Sequence, residues 1–150
     1  MSVDGQDGEP ASVTTGLPRG SPVSPVLFAL YIAEIHGAVE DQVEDSRGIS
    51  FVDDVTWIVE GTSIDGVAGK LERCATASLQ WADNNAVRFE ASKTEAVLFS
   101  KRRKHRRCKS DIRVGAHRVR FSPEATRWQW LGIWLDSTLS LAEHLRRPIG

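Results

Sequence analysis

The segment "GISFVDDVTWIVEG", residues 48–61, places two β-rich runs on either side of an Asp-Asp pair. This pattern predicts a hairpin of two strands, Ile49–Val52 and Val55–Val59, whose tight turn consists of Asp53 and Asp54. Side chains of adjacent turn residues can lie near one rim, whereas adjacent residues of a continuous strand face opposite sides. Two carboxylates at one rim suit a divalent metal ion, because Mg²⁺ binds oxygen ligands and usually completes its shell with water and substrate phosphates.

An Asp-Asp turn by itself is more often only a turn, because Asp is among the commonest turn residues. The hydrophobic flanks favour a functional site, since a turn between buried strands holds its carboxylates rigidly at the edge of a core. Two unpaired negative charges in that position repel each other, and a bound metal ion removes the repulsion. Asp53 and Asp54 are therefore candidate metal ligands.

A rigid loop and an apolar helix are predicted upstream of this hairpin. The prolines and glycine of "PRGSPVSP", residues 18–25, end a short β-branched strand in "ASVTTGL", residues 11–17. Ser24 suits the N-cap position and Pro25 the first helical position, so we expect a helix from Pro25 to Glu40. Because its apolar residues occupy most of the circumference, this helix is expected to be buried on more than one side.

Helix and strand patterns continue downstream. Ser63 is the expected N-cap of a helix from Ile64 to Asn84 that packs on a sheet by one apolar stripe. Further strands are predicted at Val87–Phe89 and Glu95–Ser100, and a hairpin is predicted within residues 112–121. A strand over residues 127–136 is expected to bend at Gly132, and a helix is expected to begin within residues 139–147. The order of these elements predicts an α+β fold, with an antiparallel β-sheet and helices packed on one of its faces.

Composition indicates one soluble, intracellular domain. The chain has 150 residues, of which 41% are hydrophobic, and no apolar run approaches the roughly 18 residues of a membrane span. The N-terminus lacks the basic start and apolar centre of a signal peptide, and no membrane partner is expected. Cys74 and Cys108 lie far apart without CxxC spacing, which indicates neither a disulfide framework nor a zinc site. Cys74 is interpreted as a core residue.

The charge is divided between the two ends of the chain. Residues 1–100 carry 6 Lys and Arg against 16 Asp and Glu, whereas residues 101–150 carry 13 against 4. The steepest part is "KRRKHRRCK", residues 101–109, which fits a phosphate-binding patch, a nuclear localisation signal or a solvated loop. The candidate contacts to a nucleic-acid backbone are Arg102, Arg103, Arg106 and Arg107.

Four motifs in order resemble one protein family. They are "GLPRGSPVSPVLFALYI" (16–32), "FVDDV" (51–55), "SKTEAVLFS" (92–100) and "WLGIWLD" (130–136). Together they resemble the palm of a reverse transcriptase, an RNA-directed DNA polymerase, of non-LTR (LINE-type) retrotransposons. The resemblance covers about residues 12–145. It implies a partial polymerase palm at 14–140, preceded by a variable acidic, Gly-rich segment at 1–13 and followed by the start of a thumb at 141–150.

The resemblance also implies roles for individual residues. Asp53 and Asp54 correspond to catalytic ligands of Mg²⁺ or Mn²⁺, with Asp53 the expected direct ligand, and the implied partners are an RNA template, a DNA primer and dNTPs. Lys93 corresponds to a lysine that assists the pyrophosphate leaving group. The residues that correspond to nucleotide, template and primer contacts are Gly20, Ser21 and Pro22 below the nascent base pair, Phe51 at the primer terminus, and Leu131, Gly132 and Ile133 within a primer grip at 131–136.

One expected carboxylate has no counterpart in the sequence. In the resembled family a third metal ligand comes from an upstream motif similar to Phe-Asp-x-x-x-Ala-Phe, but the acids before Thr14 are only Asp4, Asp7 and Glu9. Fingers and most of a thumb also lack counterparts. The expectation is therefore a polymerase fragment truncated at both ends, of retrotransposon origin and inactive by itself.

Two other functions fit parts of the sequence. A non-catalytic nucleic-acid-binding protein would use the basic C-terminal half with Trp128, Trp130 and Trp134, although tryptophans at this spacing more often belong to a core. A metal-dependent phosphohydrolase would use Asp53 and Asp54 alone, and it ranks last because no His cluster or further acidic motif completes such a site.

Overall fold

Helices and short strands alternate along the chain in the computed structural model, which describes residues 2–3, 6–7, 22–102, 105, 110–122, 128–136, 138–140 and 145. The elements are β1 (Ser2–Val3), β2 (Gln6–Asp7), α1 (Ser24–Ile32), α2 (Glu34–Glu40), β3 (Ser46–Phe51), β4 (Asp54–Val59), α3 (Ile64–Asn84), β5 (Ala96–Val97), β6 (Asp111–Val114), β7 (His117–Ser122), β8 (Trp128–Trp130) and β9 (Ile133–Leu135). The predicted α+β class is confirmed.

Most strand pairs are antiparallel hairpins. The pairs β1–β2, β3–β4, β6–β7 and β8–β9 each join strands that are consecutive in the chain. In contrast, β5 pairs with β7 in parallel, so the sheet β5-β7-β6 is mixed. Antiparallel pairing therefore dominates, as predicted, and one short parallel pair is added to it.

The helix α3 begins and ends as predicted. Ser63 has an extended backbone and its Oγ accepts a hydrogen bond from the Gly66 N–H at 3.1 Å, which satisfies one free donor of the first turn. The prediction of a single apolar stripe is wrong, because α3 contributes to two hydrophobic cores. In the first core, Cys74 and Trp81 pack with α2 and the β3–β4 hairpin. In the second core, Ala68 packs with β5, β6 and β7.

The apolar helix predicted over residues 25–40 is present, but it is interrupted and less buried than expected. Ala33 separates α1 from α2, and the N-cap residue is Val23 rather than Ser24. Ile35 and Val39 in α2 are fully buried, whereas the α1 side chains of Val26 and Leu30 are 59% and 67% exposed. The prediction of burial on several sides is therefore wrong for α1.

Three predicted strands differ from the structure. Val87–Phe89 forms no ladder, because the Val87 N–H donates to Ala82 O at 3.0 Å while both apolar side chains pack on the first core. The strand expected at residues 95–100 is limited to β5. Residues 128–135 form a hairpin and not a bent strand, since the turn residues Leu131 and Gly132 both have positive φ.

The hairpin predicted within residues 112–121 is confirmed by β6 and β7. The strand predicted at residues 11–17 and most of the helix predicted within residues 139–147 lie outside the described residues.

Gly48 provides a test of the packing below the β3–β4 hairpin. A Cβ at this position would lie 2.5 Å from His36 Nδ1 and 2.6 Å from Trp57 Cζ3. We expect Gly48→Ala to lower the free energy of unfolding by about 1–3 kcal/mol through overpacking. Gly69→Ala is the control, because its Cβ would meet open space on α3 and is expected to stabilise by about 0.5–1 kcal/mol. Urea denaturation of both variants measures the difference, and equal midpoints would contradict this interpretation.

Candidate functional site

The turn that carries the two carboxylates lies one residue earlier than predicted. Phe51 pairs directly with Asp54, so Val52 and Asp53 form the turn and Asp54 is the first residue of β4. Val52 has φ of 53°, a left-handed conformation that β-branched residues rarely adopt. Such a conformation costs free energy and occurs preferentially where surrounding structure and function require it.

The strand register determines where the two Asp side chains lie. Phe51 and Asp54 form one cross-strand pair and therefore share a face, which is opposite to the face of Trp57 that packs on the helices. Asp53 lies at the tip, and both Asp side chains are exposed. The Phe51 side chain is 57% exposed beside them. The structure thus combines two carboxylates and one exposed aromatic ring at one end of the hairpin.

A series of hydrogen bonds and one aromatic ring contact connect this hairpin to α2 and α3. His36 Nε2 lies 3.1 Å from Ser50 Oγ, and the His36 ring is tilted against the ring of Trp57 with centroids 5.8 Å apart. Trp57 Nε1 donates to Ser78 Oγ at 2.9 Å, and Ser78 Oγ donates to Cys74 O at 2.8 Å. These contacts place the carboxylate turn on a rigid base.

One residue of the sequence, Gly48, indicates these contacts. Gly48 lies inside a β-rich run, and a strand glycine often marks a place where another group approaches the backbone closely. Here the approaching groups are the rings of His36 and Trp57.

Cys74 is a free, buried thiol at the centre of the first core. Burial raises the pKa of its thiol, because desolvation disfavours the thiolate. This environment is that of a core residue, as predicted, and not of a reactive cysteine.

Only part of the predicted nucleotide loop lies in the described chain. Pro22 is exposed in the turn that leads into α1, whereas Gly20 and Ser21 lie outside the described residues. The helix α1 packs against β3, and Phe28 of α1 reaches the same core as Val55. The end of the loop therefore joins a helix that lies next to the strand of Phe51.

Lys93 lies on a separate element. It ends a single 3₁₀ turn, Ala91–Lys93, and its side chain is exposed. In the same turn Ser92 Oγ donates to Glu90 Oε1 at 2.6 Å, and this hydrogen bond lowers the pKa of the Glu90 carboxyl. Among the described residues, no hydrogen bond or ion pair joins Lys93 to Asp53 or Asp54.

The predicted primer grip forms the tip and second strand of the β8–β9 hairpin. Leu131 and Gly132 are the turn residues, and the side chains of Leu131 and Ile133 are exposed. Asp136 follows β9 and accepts hydrogen bonds from the backbone N–H groups and hydroxyls of Thr138 and Ser140. These hydrogen bonds hold the pKa of the Asp136 carboxyl well below its usual range, and the bond from the Ser140 hydroxyl contributes most to this lowering.

The basic run is described only at its start and at His105. Arg102 is exposed, and Ser100 Oγ lies 2.9 Å from His105 Nδ1. Arg103, Arg106 and Arg107 lie outside the described residues. Trp130 and Trp134 are half-buried.

The described residues contain neither a larger cluster of metal-ligating side chains nor a membrane-spanning helix. In the described ranges, no cluster of three or more His, Cys, Asp and Glu side chains has the arrangement of a metal site, so Asp53 and Asp54 form a two-carboxylate set. None of the helices among these residues has the length and apolar character needed to cross a membrane.

Comparisons with known proteins agree on one family. A family model described as reverse transcriptase (RNA-dependent DNA polymerase) matches residues 1–135. The chain is also 28% identical over 148 residues to the RNA-directed DNA polymerase from mobile element jockey of Drosophila melanogaster. That alignment covers 97% of this chain and 16% of the jockey protein, so the chain spans less than a fifth of this relative's length. No solved structure gave a significant match.

Proposed function

Because this chain belongs to the reverse transcriptase family, as a fragment of the non-LTR type, we propose that it carries two metal-binding carboxylates of an RNA-directed DNA polymerase. Reverse transcriptases use divalent metal ions, an RNA template and nucleotide substrates. The observation that carries the proposal is the hairpin end where Asp53 and Asp54 lie beside the exposed ring of Phe51.

The donor set at this turn fits a divalent ion in part. Two exposed carboxylates supply hard oxygen ligands, and Mg²⁺ accepts one or two carboxylates when water and substrate phosphates complete its shell. In nucleotidyl transfer, bound Mg²⁺ or Mn²⁺ neutralises the charge of the triphosphate and activates the primer 3′-hydroxyl. In this proposal Asp53, at the tip, is the direct ligand, as the resemblance of this Asp-Asp turn to that of reverse transcriptases implies, and Asp54 completes the set from the start of β4.

Other residues of the chain position the substrates. Phe51 presents an exposed ring on the face of Asp54, where it supports the primer terminus by apolar contact. Gly20, Ser21 and Pro22 support the nascent base pair, and Pro22 leads into α1, which packs on the strand of Phe51. Lys93 donates to the pyrophosphate leaving group, and the β8–β9 turn holds the primer strand.

The isolated 150-residue chain is proposed to be inactive in primer extension. Phosphoryl transfer depends almost wholly on positioning and on charge neutralisation. Two carboxylates hold an ion weakly, and the described residues add no third acidic ligand to this turn.

Metal titration tests the proposed site directly. We expect the chain to bind Mn²⁺ weakly, in the millimolar range, because two carboxylates and water do not form a closed cage. Asp53→Asn is expected to abolish the binding heat in isothermal titration calorimetry. Asp83→Asn is the matched control, since Asp83 is an exposed carboxylate at the end of α3, remote in sequence from the turn. Equal heats for the wild-type chain and Asp53→Asn would remove the metal site from the proposal.

A further inference from the structure

The β6–β7 hairpin has one buried face and one arginine-rich face. Its inner side chains pack against α3 in the second core and include Ile112, Val114 and Phe121. Side chains alternate along each strand, so the opposite face carries Asp111, Arg113, Arg118 and Arg120, which we call the arginine face. The three arginines are exposed.

The arrangement of charges on the arginine face destabilises the folded state. Arg113 lies directly opposite Arg118 in the register, and like charges in a cross-strand pair are destabilising. The one carboxylate on this face, Asp111, lies 3.7 Å from Arg118 Nη1, and the Arg118 side chain is 74% exposed. A long, exposed ion pair of this kind contributes little. The face therefore keeps an excess of two positive charges.

The described part of the chain supplies no further partner for these guanidinium groups. Within it, no carboxylate lies at ion-pair distance from Arg113 or Arg120. Glu72 reaches the same strand, but its Oε1 accepts the backbone N–H of Arg113 at 2.8 Å and so fixes the edge of β6. The hairpin also follows directly on residues 101–109, which contain seven lysines and arginines.

We propose that the arginine face binds the phosphodiester backbone of an RNA–DNA hybrid. Guanidinium groups pair with phosphate oxygens in a bidentate manner, and the two arginine-bearing pairs lie about 7 Å apart along the strands. A nucleic-acid strand carries phosphates at comparably close intervals. The face carries no aromatic side chain for base stacking, so it contacts the backbone independently of sequence. The choice of a hybrid rests on the proposed polymerase function.

Fluorescence anisotropy with a labelled RNA–DNA hybrid tests the arginine face in the full 150-residue chain. EDTA in the buffer removes divalent metal ions, so the assay measures binding to the arginine face without a contribution from metal bound at Asp53 and Asp54. The result is therefore independent of the outcome of the Mn²⁺ titration. Over about 50–200 mM salt, we expect Arg113→Gln/Arg120→Gln to reduce the slope of log K against log salt by about two, roughly one per lost phosphate contact. Asp111→Asn is expected to tighten binding several-fold, because it removes the only negative charge on this face.

The control is Arg73→Gln/Arg88→Gln, which removes the same charge from exposed positions off the hairpin and should leave most of the slope intact. An unchanged slope in Arg113→Gln/Arg120→Gln would overturn the proposal, as would an equal loss in the control. Vesicles containing phosphatidylserine form the second arm. Arginine-dependent binding to these vesicles without binding to the hybrid would assign the face to a membrane surface instead.

Discussion

A chimera in which residues 12–146 of this chain replace the matching segment of the jockey polymerase is expected to extend a DNA primer on an RNA template. In that chimera, Asp53→Ala is expected to lower the extension rate more than about a hundredfold. The reason is that the reaction depends on metal-assisted charge neutralisation, and Asp53 is the proposed direct ligand at the tip of the hairpin. Gel-based primer extension with Mg²⁺ measures both rates.

The controls separate the metal site from general damage to the fold. Asp83→Ala in the same chimera removes an exposed carboxylate from the end of α3 and should leave extension unchanged. The isolated 150-residue chain should extend no primer. Extension by the isolated chain would contradict the proposed need for further carboxylates, and a folded but inactive chimera would contradict the role proposed for this hairpin.

Local sequence signals were sufficient for the elements that depend on local chemistry. The bounds of α3 followed from Ser63 as a cap and from the apolar spacing after it, and both were confirmed. The β3–β4 hairpin followed from two β-rich runs. The turn was misplaced by one residue because Asp is a favourable turn residue and Val is not, whereas the cross-strand register puts Val52 in the turn.

Properties that depend on distant parts of the chain were not predictable from local patterns. The apolar residues of α1 indicated a helix, but their spacing does not tell which neighbours cover them, and Leu30 is largely exposed in the structure. Similarly, apolar alternation at Val87 and Phe89 indicated a strand, yet both side chains are used for core packing while Val87 N–H bonds to the end of α3. Burial and strand pairing are tertiary properties, and they override local propensity here.

Phe121→Ala is expected to lower the free energy of unfolding by about 3–5 kcal/mol, a loss of roughly 10 °C in Tm for a domain of this size. Phe121 is 1% exposed, and its ring packs in the second core below the arginine face. Phe121 lies in β7 and pairs with Ala96 of β5. Loss of its ring therefore leaves a cavity where the β6–β7 hairpin, β5 and α3 meet. Since whole domains are stable by only about 5–15 kcal/mol, a large part of the stability is lost.

Phe51→Ala also removes a phenylalanine ring, but from the exposed end of the β3–β4 hairpin. We expect this change to lower primer extension and to leave the free energy of unfolding almost unchanged, whereas Phe121→Ala lowers the free energy of unfolding. Because the Phe51 ring is already 57% exposed, its loss should change the free energy of unfolding by about 0.5 kcal/mol or less. In the chimera, however, it should lower primer extension, since the ring is proposed to support the primer terminus. Thermal denaturation and primer extension of both variants provide the comparison. Equal losses of stability would show that Phe51 is a packing residue, and full extension by Phe51→Ala would remove its proposed contact with the primer.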